Sequence, residues 1–315
     1  MSDHPNPTQR KRRLGVLAAA GIAVVALIAT MTSACSAQTP TTPDPTTPKG
    51  SIGGKPIVIG VVGASEPYWA TFKQAATDAG INVDIKDFTD YSLVNPALSS
   101  GDIDLNQFQH IIFLAQYIHD SGKQLTPIGA TAIYPLGLYS KKYTSVDQIP
   151  AGSTVTVPND LTNQARALLV LQSAGLIKLK SGGTIFSDLT DIDTTASKVK
   201  ITAIDANLTP SSLSDAAAAI INNDFITDAG LTYADAIAKD DPSDPNALPY
   251  VNIWVSRPED ANNATYLKLV SIYQDTKAVT DGVQDASGGT AIFMKTAEAD
   301  LQASLNKVLD DMNTH

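Results

Sequence analysis

The sequence predicts an α/β protein built as two lobes around a ligand cleft. Two observations carry this. A strand-helix-strand order opens the folded part of the chain, and the same order returns after residue 153. That order marks parallel sheets joined by right-handed crossovers. Segments 132–139 and 250–256, both read as strands, supply the passages between the lobes. At 315 residues the chain is also too long for one small core. Ligands in such folds sit at strand carboxyl ends and helix N-termini.

The elements follow in order. "PIVIGVV", residues 56–62, is a continuous apolar, β-branched run, as a strand covered on both faces requires. Residues 67–79 place Trp69, Phe72, Ala76 and Ala79 at helical spacing, and Gly80 stops the helix. "INVDIKDF" then alternates as a strand. Within "DLNQFQHIIFLAQY", residues 104–117, Ile111 and Leu114 begin an i, i+3, i+7 stripe that ends at Ile118 and faces a core. "STVTVPND" reads as a strand, "NQARALLVLQSAGLI" as an amphipathic helix ending at Gly175, and "KITAIDA" as a strand. "LSDAAAAIINNDFITDAGL" reads as helix and turn, and helices are expected over 264–273 and 296–312. No short-period repeat is present, which excludes a solenoid.

The first 34 residues form a separate export segment. Arg10, Lys11, Arg12 and Arg13 precede an apolar run over 14–31, and "TSAC" closes it with small residues. An uncleaved anchor is the alternative, since such a run just spans a bilayer. Cys35 favours cleavage: it is the only cysteine and would become the new N-terminus. "TSAC" resembles a bacterial lipobox, whose cysteine is diacylated, although Thr32 stands where leucine is usual. Residues 35–54, rich in proline and threonine, then read as an extended tether. Cleavage leaves 18 basic against 31 acidic residues, a formal charge of −13. That field repels nucleic acid and anionic lipid, so attachment to a membrane must be covalent.

Several chemistries lack their residues. "GVVGAS" has neither the lysine of a phosphate loop nor the glycine spacing of a dinucleotide fold. No G-x-S-x-G elbow occurs, and the cysteine belongs to the export signal. His110 and His119 are too far apart for two ligands on one helical turn, so neither a metal nor a cofactor is expected. Arg166 lies early in the helix after "VPNDLTN", where backbone N–H groups already favour an anion. It suits a bidentate carboxylate clamp, or else a surface pair with Asp160. Asn222 and Asn223 follow the apolar "AAAAII", and Asn252 lies within the strand "PYVNIWV"; a buried amide there needs partners.

In order, "DYSLVNPALSSGDIDLNQFQH", "YPLGLYSKKY", "VPNDLTNQARALLVLQSAGLIKL", "AAAAIINNDFITDAGL" and "PYVNIWVSR" resemble the signature segments of the NlpA/MetQ lipoprotein family. These are substrate-binding proteins of methionine-type ABC importers. The resemblance implies a type II periplasmic-binding fold, with lobe 1 over 55–135 plus 250–315, lobe 2 over 136–249, two crossovers, and the ligand closed between them. It implies L-methionine as ligand, with D-methionine or methionyl dipeptides in some members. It also implies an ABC permease with its ATPase as partner, a monomeric receptor rather than an enzyme, and a lipid anchor on Cys35 at the extracytoplasmic face of the membrane. By motif, Arg166 takes the ligand carboxylate. Asn222 and Asn252 take the α-amino and carboxylate groups, and Tyr91, Phe108 and His110 line the side-chain pocket. Phe113 stands where the family has a tyrosine, and "NDLTN" replaces Asn-Asp-Pro-Thr-Asn, so substrate identity is the point of departure. The competing classes are an enzyme on this fold and an adhesive or structural lipoprotein.

Overall fold

The computed structural model describes residues 54–314. The export segment, Cys35 and nearly all of the tether lie outside the described residues. Among the described residues no helix is long and apolar enough to cross a membrane.

β1 (Ile57–Val61) is the second strand of a five-stranded sheet, and Ile57, Ile59 and Val61 are at most 1% exposed. It leads into α1 (Pro67–Asp78), which has proline in its first turn and buries Trp69, Phe72 and Ala76 along one stripe. β2 (Val83–Asp87) pairs parallel with β1 at the sheet edge. α2 (Val94–Ser100) follows and stops at the left-handed Gly101, and β3 (Leu105–His110) pairs with the other side of β1. α3 (Ile111–Ser121) starts directly at the end of β3 and carries the expected stripe, with Ile111, Leu114 and Ile118 buried. β4 (Thr126–Ala130) completes this first pass.

Here the sequence reading needs correction. One strand is expected over 132–139, but two short ones form: β5 (Ala132–Ile133) and β6 (Gly137–Tyr139). Pro135 between them has no N–H to give a ladder. Leu136 spends its N–H on the Asp240 side chain instead, at 2.8 Å.

β6 belongs to a second five-stranded sheet. β7 (Thr154–Pro158), α4 (Leu161–Ser173) and β8 (Lys200–Ile204) form its parallel unit. After the short α5 (Thr209–Ser212), β9 (Ala218–Ile221) pairs parallel with β7 and antiparallel with β6. The expected helix over "AAAAII" is therefore wrong. All four residues of β9 are 0% exposed, so no solvent-facing period exists to separate strand from helix. β10 (Ala238–Lys239) closes the edge against β6.

The chain then returns. β11 (Asn252–Ser256) inserts antiparallel between β3 and β4, so the first sheet runs β2-β1-β3-β11-β4 and the second β10-β6-β9-β7-β8. Each sheet thus contains an antiparallel strand that has just arrived from the other. α6 (Ala264–Asp275), α7 (Lys277–Ala286), β12 (Ile292–Phe293) and α8 (Glu298–Met312) finish the chain. Trp69, Phe72, Trp254 and Tyr273 pack at centroid distances of 5.6 to 6.3 Å in the core under the first sheet. Neither tryptophan reaches the cleft.

Candidate functional site

The two crossings and the carboxyl ends of β3 and β9 meet around a partly open cavity of about 410 Å³, counted out to its solvent mouth. Tyr91, Phe108, His110, Phe113, Arg166, Asn222 and Asn252 all line it. Sequence reasoning did not single out Tyr134, Asn163 or Asp224, which line it too.

Arg166 stands in the second turn of α4 and is 7% exposed. Its Nε donates to Asp240 at 2.6 Å and its Nη2 to the Tyr134 carbonyl at 2.8 Å. The guanidinium carbon lies 4.4 Å from the Tyr250 ring centroid, a cation-π contact. The surface pair with Asp160 is therefore excluded. Asp160 instead caps α4, accepting from the Asn163 backbone N–H at 2.9 Å. Both fixed contacts come from the segments that cross between sheets, so Arg166 is aimed by the fold's own connections.

His110 ends β3 and caps α3. Its Nδ1 accepts from the Phe113 backbone N–H at 3.1 Å, so the neutral ring carries its proton on Nε2. Nε2 then donates to Asn163 Oδ1 at 3.3 Å. Burial, with the Arg166 charge adding, pushes the His110 pKa down to about 3. A neutral histidine locked at both nitrogens is a wall and a positioning group, not a general base.

Asn163 passes the constraint on. Its Nδ2 donates to Asp160 at 3.0 Å, which leaves Oδ1 as acceptor for both His110 and the Asn222 Nδ2, the latter at 3.0 Å. Asn222 therefore presents its Oδ1 inward, and that buried oxygen has no donor among the described residues. Asn222 terminates a strand, not the helix expected before it. Asn252, the first residue of β11, lies opposite His110 in the ladder, and its carbonyl accepts from the Thr131 N–H at 2.8 Å.

The opposite wall is aromatic. Phe113 stands edge-on to Phe108 at 5.6 Å and to Tyr91 at 6.1 Å, and Tyr91 lies 5.8 Å from Phe108. The Tyr91 hydroxyl donates to Asp224 Oδ2 at 2.7 Å. Burial raises the Asp224 pKa to about 7, against the pull of the Tyr91 hydrogen bond. A second cavity adjoins the first through Phe108, Tyr134, Asp224 and Asn252, and adds Glu66 and Tyr68 at the start of α1. Chemically, the arrangement offers a cation, an open acceptor and an aromatic box within one enclosure.

Residues 57–294 match the family described as NlpA lipoprotein. The D-methionine-binding lipoprotein MetQ of Salmonella typhi is 40% identical over 238 residues, 74% of this chain and 86% of that relative. The substrate-binding protein of a methionine transporter from Streptococcus pneumoniae superposes with a TM-score of 0.70 at 36% identity, covering 76% of this chain and 95% of that one. A nutrient-binding protein from Burkholderia cenocepacia, solved bound to methionine, gives a TM-score of 0.69 at 36% identity, with coverages of 75% and 99%.

Proposed function

This chain belongs to the NlpA lipoprotein family, and from that premise we propose that it is an extracytoplasmic receptor that captures methionine and delivers it to an ABC importer. The observation that carries the proposal is the pairing of Arg166 with the open Oδ1 of Asn222 across a cavity walled by Tyr91, Phe108 and Phe113. An amino acid fits all three features. Its carboxylate goes to Arg166 through Nη1, which neither fixed contact uses, and its α-nitrogen donates to Asn222 with Asn252 beside it. A thioether side chain fills the box, where each sulfur–aromatic contact contributes about 0.3 to 1.5 kcal/mol. His110 holds Phe113 and Asn163 in place for this.

The two sheets are proposed as two lobes, 55–135 with 250–315 and 136–249, which close on the ligand. Cys35 is proposed as the lipid attachment and residues 35–54 as the tether that holds a monomeric receptor near its permease and ATPase. The role is capture and delivery without turnover.

Calorimetry on ligand-stripped protein, with L-methionine, D-methionine and methionyl dipeptides in separate titrations, tests the ligand. Binding of one of them in the micromolar range or tighter is expected. Absence of heat with every one of them removes the methionine assignment. Mass spectrometry of small molecules released by denaturing freshly purified protein gives the same answer without choosing a ligand in advance.

A further inference from the structure

The amino-acid assignment leaves one carboxylate of the cleft wall without a role. Asp224, in the turn that follows β9, lines both cavities. Its Oδ2 accepts from the Tyr91 hydroxyl and its Oδ1 from Asn223 Nδ2, each at 2.7 Å. Both partners are donors directed at an anion, and neither brings a charge. Elsewhere on the molecule the half-buried carboxylates Asp240 and Asp260 are matched by Arg166 and Arg257. Asp224 faces the opposite: Glu66 across the second cavity, and the hydroxyls of Tyr68, Tyr91, Tyr134 and Tyr233. Two residues away Asn222, 7% exposed, lines the first cavity with a carbonyl oxygen that lacks a donor, because its amide nitrogen is committed to Asn163.

A carboxylate without a counter-ion and a carbonyl without a donor among the described residues, both lining the first cavity, call for a group that is both cationic and rich in N–H. A primary ammonium is that group. Arg166 is committed elsewhere, with its Nε on Asp240 and its Nη2 on the Tyr134 carbonyl.

We propose that Asp224 is the counter-ion of the ligand's ammonium and restricts the cleft to ligands with a free primary amine. The proposal rests on the amino-acid reading of the cleft and adds a residue to which no role was assigned. The amine bridges Asp224 and Asn222 Oδ1, while Tyr91, donating to the same carboxylate from the other sheet, couples the aromatic wall to the occupied anion. With its pKa near 7, Asp224 gives up its proton when the ammonium arrives.

The test compares L- and D-methionine with 4-(methylthio)butanoate, which keeps carboxylate and thioether but lacks the amine, on the parent and on Asp224→Asn. The variant is expected to bind methionine about 30- to 100-fold more weakly and to bind the butanoate within about threefold of the parent. In the parent, methionine affinity is expected to fall about 30-fold between pH 8 and pH 5.5, as Asp224 takes up its proton. His110 stays uncharged throughout this window, with its pKa at about 3. The pH profile stands even if the variant does not fold. Methionine binding by the variant within threefold of the parent overturns the proposal. So does an equal loss of both ligands, which makes Asp224 only a tether for Tyr91, or a flat pH profile in the parent. A parent that binds neither methionine enantiomer sinks the amino-acid reading itself, and this inference with it.

Discussion

Arg166 is held in place before a ligand arrives. Its fork spends Nε on Asp240 and Nη2 on the Tyr134 carbonyl, and its face on Tyr250. Those contacts remove most of the rotamer entropy that an arginine loses on gripping a carboxylate. They also explain why lysine is a poor replacement, since a point charge cannot satisfy Asp240, a carbonyl and a ligand in one plane. Arg166→Ala is expected to weaken methionine binding by about 2 to 4 kcal/mol, because a carboxylate is then stranded in a desolvated cleft. Titration calorimetry reads this directly, and a dissociation constant within twofold of the parent would place the carboxylate elsewhere. His110 differs in kind. With Nδ1 accepting from Phe113 and Nε2 donating to Asn163, it has no nitrogen left for a ligand.

At the scale of elements, legibility tracks where each segment's contacts lie. β1, α1, β7 and α4 were readable because their own side chains carry the period: β-branched runs for the strands, a buried stripe for the helices. β9 was misread because it is buried on both faces, and β3 was not assigned because "LNQFQH" is polar. β3 is nonetheless fully buried, since its polar side chains are satisfied by distant partners. Asn95 Nδ2 donates to Gln109 Oε1 at 2.7 Å, and Asn95 Oδ1 accepts from Gln109 at 2.7 Å and from Asn106 at 3.0 Å. The cavity shows the same division. The seven residues named through the family resemblance all reach it, whereas Asp224, Asn163 and Asp240 act through pairings 133, 53 and 74 residues long that no local pattern announces. The Asn95 network ties α2 to β3, the strand that carries Phe108 and His110. Asn95→Leu keeps the Gln109 Nε2 to Asn106 Oδ1 bond of 3.0 Å but strips Asn106 Nδ2 and Gln109 Oε1 of their partner in the core, and is expected to cost about 2 to 4 kcal/mol. A urea unfolding curve with a loss below 1 kcal/mol would show that the two stripped groups find other partners.

For the whole molecule, the cleft is where the two sheets are tied together and also where stability is given up. Tyr91 to Asp224, His110 to Asn163, and Asn207 to the Thr89 carbonyl at 2.9 Å all join the first sheet's residues to the second's. Two of these ties involve groups whose protonation folding disturbs, in opposite senses. Asp224 has a folded pKa of about 7 against a usual 3.8, so its contribution is fully present below about 3.8 and is lost as pH rises through 7. His110 has a folded pKa of about 3 against 6.5, so its contribution is present above 6.5 and is lost as pH falls toward 3. Between pH 4 and 6.5 the two slopes oppose each other, each at about 1.4 kcal/mol per pH unit. The ligand-free parent therefore owes little net pH dependence to this pair. Asp224→Asn removes one slope and exposes the other. Relative to the parent, the ligand-free variant is expected to gain stability between pH 4 and pH 7.5, by up to about 4 kcal/mol, even as it loses methionine. Denaturant unfolding at pH 4, 5.5 and 7.5 measures the difference, and a gain below 0.5 kcal/mol would mean that Asp224 ionises in the empty cleft as freely as in water. On the proposed pairing, a carboxylate that weakens the empty protein at neutral pH strengthens the loaded one, because the ammonium supplies the charge that the fold withholds.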